Sequence, residues 1–139
     1  MPIKLYRPVT KGRRISSVQD FSDITRSSPE KSLLHSRKDQ AGRSGGKISV
    51  RHQGSGHKRL LRNVDFLQDL WDIPARIDSI EYDPHRGARI GLLIYRDGVK
   101  RYVLLPHGLH VGDKIVASQK EAEVQPGNRL PLEKIPVGT

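Results

Sequence analysis

With 139 residues, of which 5% are aromatic, the chain has room for one small domain plus an extension around a modest core. The lack of cysteine excludes a disulfide framework, a thiolate metal site and a Cys nucleophile, and fits a reducing compartment; no run approaches the roughly 20 apolar residues of a membrane span, and MPIKLYRPVT lacks the pattern of a secretory signal. The net charge of +10 is concentrated: residues 1–60 hold 14 Lys and Arg against four Asp and Glu, whereas residues 61–139 hold 11 of each. This asymmetry reads as a nucleic-acid-binding arm on a neutral domain, the bland alternative being a generic solubilising tail.

Met1 to about Gly46 shows no sustained periodicity, only apolar islands (Ile3, Leu5, Tyr6; Val18, Phe21, Ile24; Leu33, Leu34) among Gly, Ser, Lys and Arg, which predicts an extended segment ordered by a partner. Within it, SSPEKSLL predicts a turn of helix with Pro29 at its first position and Glu30 near the positive end of its dipole. From Ile48 the texture changes to short β-branched runs bounded by turn residues: KISVRH, RLLRNVDF, ARIDSIEYD, ARIGLLIYRDG, VKRYVLLP and DKIVAS. Such spacing without a helix-length amphipathic window predicts a small antiparallel barrel or sandwich. The alternation slips between Ile77 and Ile80, predicting a β-bulge. Ile90, Leu92, Leu93 and Ile94 are apolar at both parities, as in a strand buried on both faces. Asp97-Gly98 predicts a hairpin with a type I′ turn, in which both central residues need positive φ. Pro74 and Pro84 fall between strands, Gly112-Asp113 marks a turn, and QKEAEVQPGNRLPLEKIPVGT, with Pro126, Pro131 and Pro136, reads as a connecting segment.

Most catalytic and cofactor patterns fail on detail. Gly45-Gly46-Lys47 lacks the earlier glycine and following Ser or Thr of a phosphate loop, having Ala41 and Ile48 instead; Gly54-Ser55-Gly56 lacks the third glycine and the helix of a dinucleotide fingerprint. His52 and His57 stand five apart, and His35, His85, His107 and His110 are scattered, without metal-ligand spacing. Asp83 and His85 form an acid–His pair with no nucleophile elbow, so a loop histidine is the simpler reading. Nucleic acid remains. The stretch GGKISVRHQGSGHKRLLR gathers Lys47, Arg51, Lys58, Arg59 and Arg62 around His52, His57 and four glycines, suited to phosphate oxygens and to close backbone approach. Of the aromatic residues Tyr6, Phe21, Phe66, Trp71, Tyr82, Tyr95 and Tyr102, most sit at strand positions where core packing accounts for them. Recognition by shape, phosphate and 2′-hydroxyl contacts follows, which favours structured RNA.

GKISVRHQGSGHKR (Gly46–Arg59), EYDPHRGARIGLLIYRDGVKRYVLLP (Glu81–Pro106) and LPLEKIPVGT (Leu130–Thr139), preceded in order by YRPVTKGRR and PEKSLL, closely resemble the N-terminal half of the large ribosomal subunit protein two family, in its bacterial or organellar form. The resemblance implies a primary binder of large-subunit, 23S-type ribosomal RNA. It implies an extended arm threaded into the RNA and a five-stranded OB-like barrel, followed in the family by an SH3-like barrel and a basic tail. It also implies a place near the peptidyl-transferase region and a part in subunit association. Carried over to matching positions, the RNA-contacting residues are Arg51, His52, Gln53, His57, Lys58 and Arg59, with Arg13, Arg14 and Arg86 next; Arg7, Lys11, Arg43, Lys47 and Arg62 complete the candidate set.

The expected fold is all-β: a small five-stranded OB-like antiparallel barrel preceded by a long, extended, basic N-terminal arm. The expected division is an arm over 1–59, the barrel over 60–125, and a linker over 126–139 toward the second domain, which the sequence stops short of. The expected function is structural, not enzymatic, without cofactor or metal. Its expected partners are large-subunit ribosomal RNA and neighbouring ribosomal proteins, with no membrane and no small-molecule substrate, in a cytoplasmic or organellar ribosome. Two other classes stay open on residues alone: an OB module holding single-stranded nucleic acid, and a metal-dependent enzyme using His52, His57 and His85.

Overall fold

The computed structural model describes residues 3–36, 42–53, 60–120 and 122–138. Strand β1 (Ile3–Leu5) pairs antiparallel with β2 (Ser17–Gln19) across a single helical turn, Lys11–Arg14, which Thr10 caps by accepting from the Arg13 amide at 3.3 Å. This hairpin exposes Ile3, Leu5, Val9 and Ile15. A 3₁₀ turn at Lys31–Leu33 leads into β3 (Leu34–Ser36). The turn predicted in SSPEKSLL is therefore present but starts later than expected, with Glu30 as its cap and Pro29 outside it. The Glu30 amide donates to the Tyr102 hydroxyl at 2.7 Å, and this tertiary bond accompanies an extended Glu30.

Strands β4 (Arg43–Ser44) and β5 (Lys47–Ile48) form a two-residue hairpin, and β6 (Leu60–Arg62) pairs antiparallel with β3. The run KISVRH thus extends as strand only to Ile48. Beyond it the amides of Ser49 and Val50 both donate to the Gly42 carbonyl, and His52 takes φ 59°, so the chain bends back. The run RLLRNVDF ends similarly, because the Asp65 carboxylate accepts from the amides of Leu67 (3.0 Å) and Gln68 (2.9 Å) and turns the chain.

The centre is a curled antiparallel half-barrel of four strands: β7 (Ala75–Asp83), β8 (Ala88–Tyr95), β9 (Lys100–Leu104) and β10 (Lys114–Ile115), ordered β10-β7-β8-β9. The fold is all-β and OB-like. Where five strands were expected, the described residues form four in this sheet; beyond them isolated bridges join Val64 to Tyr102 of β9, and Ala117 to Trp71 and Arg129. The predicted bulge is present, Asp78 being the extra residue between the Ile77–Leu93 and Ser79–Leu92 pairs. The hairpin around Asp97-Gly98 is also present, but its turn differs. Tyr95 pairs with Val99 through an amide–carbonyl bond of 2.9 Å, leaving three residues in the loop, and of these only Gly98 has positive φ (86°). This is a type I turn closed by a glycine bulge, with Asp97 accepting from the Val99 amide at 3.1 Å. Positive φ at both central positions occurs instead at Gly45 and Gly46.

The sheet is buried on both faces, as the unbroken apolar run of β8 implies. Leu93 joins Ala75, Ile77, Ile80, Tyr95, Val103 and Ile115 in one cluster. Ile90 and Leu92 join Tyr102 and Val64 in the other, closed by Leu33 from the N-terminal segment. The bulge permits this, because the phase change lets Ile77 and Ile80, three apart, enter the same cluster. Among the described residues no helix is long and apolar enough to cross a membrane.

Candidate nucleic-acid interface

The N-terminal segment is extended, yet between Asp20 and Ser36 it lies along the half-barrel. Arg89, buried on β8, donates from Nε and Nη2 to the two Asp23 oxygens, both at 2.8 Å, and from Nη2 to the Asp20 carbonyl at 2.7 Å. That fork is the bidentate geometry a guanidinium favours, and it holds the Asp23 carboxyl below its ordinary 3.8. Thr25 bonds to Ile80 through backbone and side chain, and Lys100 reaches Glu30 at 3.2 Å.

The candidate residues fall into three settings around this frame. Arg7, Lys11, Arg13 and Arg14 lie on the exposed β1–β2 hairpin, Arg13 with its guanidinium 5.3 Å from the Tyr6 ring centroid. Arg43 and Lys47 flank the Gly45-Gly46 turn, and Arg51, His52 and Gln53 follow, all exposed. A Cβ at Gly45 or Gly46 would meet nothing, so backbone conformation alone accounts for glycine there. Arg62, on β6, and Arg86, in the turn between β7 and β8, already use donors internally: Arg62 Nη1 bonds to the Leu60 carbonyl at 2.8 Å, and Arg86 Nη1 bonds to Asp83 at 2.7 Å with its guanidinium near Phe66. His57, Lys58 and Arg59 lie outside the described residues.

Ion pairs sort the remaining cations. Arg101 is held by Asp65 at 2.7 Å and by Asp69; burial would raise the Asp65 carboxyl, but Arg101 and two backbone amides outweigh it and hold it below its ordinary value. Arg76 and Lys114 are directly opposed across β7 and β10, both exposed, with no carboxylate partner among the described residues. Like charges in register are mutually destabilising, so the pair marks a cationic spot on the barrel. Sequence reasoning missed it because residues 61–139 balance to zero overall, and only the strand register shows which cations are left without an acid. The acid–His pair proves local: Asp83 is fully buried, accepts from the His85 amide at 2.9 Å, and shapes the turn between β7 and β8. Among the described residues no three His, Asp or Glu side chains gather as a metal site.

Arms rich in unpaired cations on a small half-barrel suit a polyanion. The family described as Ribosomal Proteins L2, RNA binding N-terminal domain, matches residues 30–117. The chain belongs to this family of ribosomal proteins. It is thus an L2-type large-subunit protein with an RNA-binding domain. The matched span starts at Glu30, inside the segment that docks on the sheet, and includes Arg43 to Gln53 as well as the Arg76–Lys114 pair.

Proposed function

We propose that this L2-type chain is a structural, non-catalytic component of the large ribosomal subunit that binds 23S-type ribosomal RNA as a primary binder. On this reading it stabilises the RNA fold near the peptidyl-transferase region, supports subunit association, and works in a cytoplasmic or organellar ribosome beside other ribosomal proteins. The observation that carries the reading is the exposed cation series Arg7, Lys11, Arg13, Arg14, Arg43, Lys47 and Arg51, without carboxylate partners among the described residues, in a chain whose family binds RNA. His52, Gln53, His57, Lys58 and Arg59 extend the series, with Arg62 and Arg86 at the barrel edge. The division of labour follows the sequence boundaries: an arm over 1–59 that neutralises phosphates, a barrel over 60–125 that positions it, and a linker over 126–139. Phosphates that would repel one another are bridged, so RNA helices pack.

The test is the salt dependence of binding to a folded large-subunit ribosomal RNA fragment against an unrelated structured RNA of equal length. A sustained advantage for the ribosomal fragment at physiological salt is expected. Parallel loss of both RNAs would reduce the chain to a general electrostatic anchor.

A further inference from the structure

Between the docked N-terminal segment and the barrel lies a cavity of about 550 Å³, lined by Phe21, Ile24, Arg26, Arg62, Tyr82 and neighbouring small residues. This volume is within the range of small-ligand sites. One wall is aromatic: the Phe21 and Tyr82 rings meet edge-to-face with centroids 5.1 Å apart. Arg89 is stacked 5.1 Å from the Phe21 centroid but does not line the cavity, and Phe21 remains 49% exposed. The other chemistry is cationic. Arg62 has a buried Nε without a hydrogen-bond partner among the described residues, Arg26 pairs with Glu30 at 3.5 Å, and both guanidinium groups act on the buried Glu81 carboxyl from a distance, favouring its charged form. No lining residue is acidic.

An apolar corner of two rings inclined at 70°, beside two guanidinium groups, suits a planar ring that carries an anion. From this geometry we infer that the cavity is a binding site for one unpaired, unstacked nucleotide of the RNA, its base against Phe21 and Tyr82 and its phosphate toward Arg62 and Arg26. The inference rests on the RNA-binding reading above and deepens it: besides phosphate neutralisation, the chain would capture a base displaced from its helix. The site is braced for this, because the Ile80 amide donates to Thr25 Oγ1 at 2.9 Å and fixes the 21–27 wall to β7.

The experiment is an NMR titration of the full chain with adenosine 5′-monophosphate, and in parallel with adenosine and with inorganic phosphate. The nucleotide is expected to shift the Phe21 and Tyr82 ring signals and the Arg62 Nε signal, and each fragment alone to bind at least about tenfold more weakly. Phe21→Ala should weaken nucleotide binding about tenfold, the size of one lost base–aromatic stack. Arg62→Gln, which leaves the aromatic wall intact, should abolish the advantage of the nucleotide over adenosine. Shifts confined to the arm, or identical patterns for nucleotide and phosphate, would overturn the inference. Neither depends on ribosomal RNA. If the RNA comparison fails while the cavity binds the nucleotide, the ribosomal reading falls and the site stands; preference for ribosomal RNA with a silent cavity sinks only the site.

Discussion

The Tyr102 hydroxyl accepts from the Glu30 amide and donates to Glu81 at 2.8 Å, joining the N-terminal segment to a buried carboxyl on β7. Tyr102→Phe leaves both groups short of a partner and should cost about 1–3 kcal/mol, read as a lower urea midpoint at unchanged slope. Burial pushes the Glu81 carboxyl above its ordinary 4.5, against the hydrogen bonds from Tyr102 and Ser79 that favour its charged form. The folded protein therefore binds this proton more tightly than the unfolded chain. Stability falls as pH rises from 4.5 through the native-state value, and the cost is complete above it. Glu81→Gln keeps an acceptor for Tyr102 and removes the titration. Its stability relative to the parent is expected to grow with pH across that window, and a difference independent of pH would refute the assignment. Asp23 and Asp65 act oppositely, contributing stability above their ordinary 3.8 that is lost as pH falls through their lowered values.

In the β8–β9 hairpin, Gly98 holds φ 86° with open space where a Cβ would sit, so its cost of replacement is purely conformational. Gly98→Ala should destabilise by about 1 kcal/mol in chemical denaturation, and Gly98→Asn by less, since Asn tolerates the left-handed region. The strands flanking it were readable because their apolar residues are contiguous along the chain, and the bulge because Ile77 and Ile80 break the period of two. The turn type was not readable, because Asp-Gly fits either solution and the Tyr95–Val99 pair decides between them. The β1–β2 and β3–β6 pairs are three residues per strand, too short to show a period. The docking of residues 20–36 depends on Asp23 meeting Arg89 and Glu30 meeting Tyr102, partners 66 and 72 positions apart, which no local pattern signals. The concentration of positive charge in residues 1–60, by contrast, was plain in the sequence. The Phe21–Tyr82–Arg62 cavity was not, because its walls come from three separated segments.

For the assembled chain, charge sets the strength of RNA binding and its salt response. Replacing Arg51, Lys58 and Arg59 together by Ala should lower affinity by several kcal/mol, at about 1.5–3 kcal/mol for each hydrogen bond to a charged group before RNA desolvation is discounted. The slope of log affinity against log salt should become shallower by about 2–3, as each phosphate contact contributes about 0.7–0.9. An unchanged slope in a binding titration would remove these three residues from the interface. The β3–β6 ladder adds a different consequence. Ser36 pairs with Leu60, so the 23 residues between them, which include Arg43, Lys47, Arg51, Lys58 and Arg59, form a loop tied at both ends and not a free tail. Closing a loop of that length costs about 3 kcal/mol of chain entropy, beyond a constant. The fold meets that cost before RNA arrives. Docking then meets a segment whose ends are already in place, and phosphate contacts made there are not spent on bringing the two ends together.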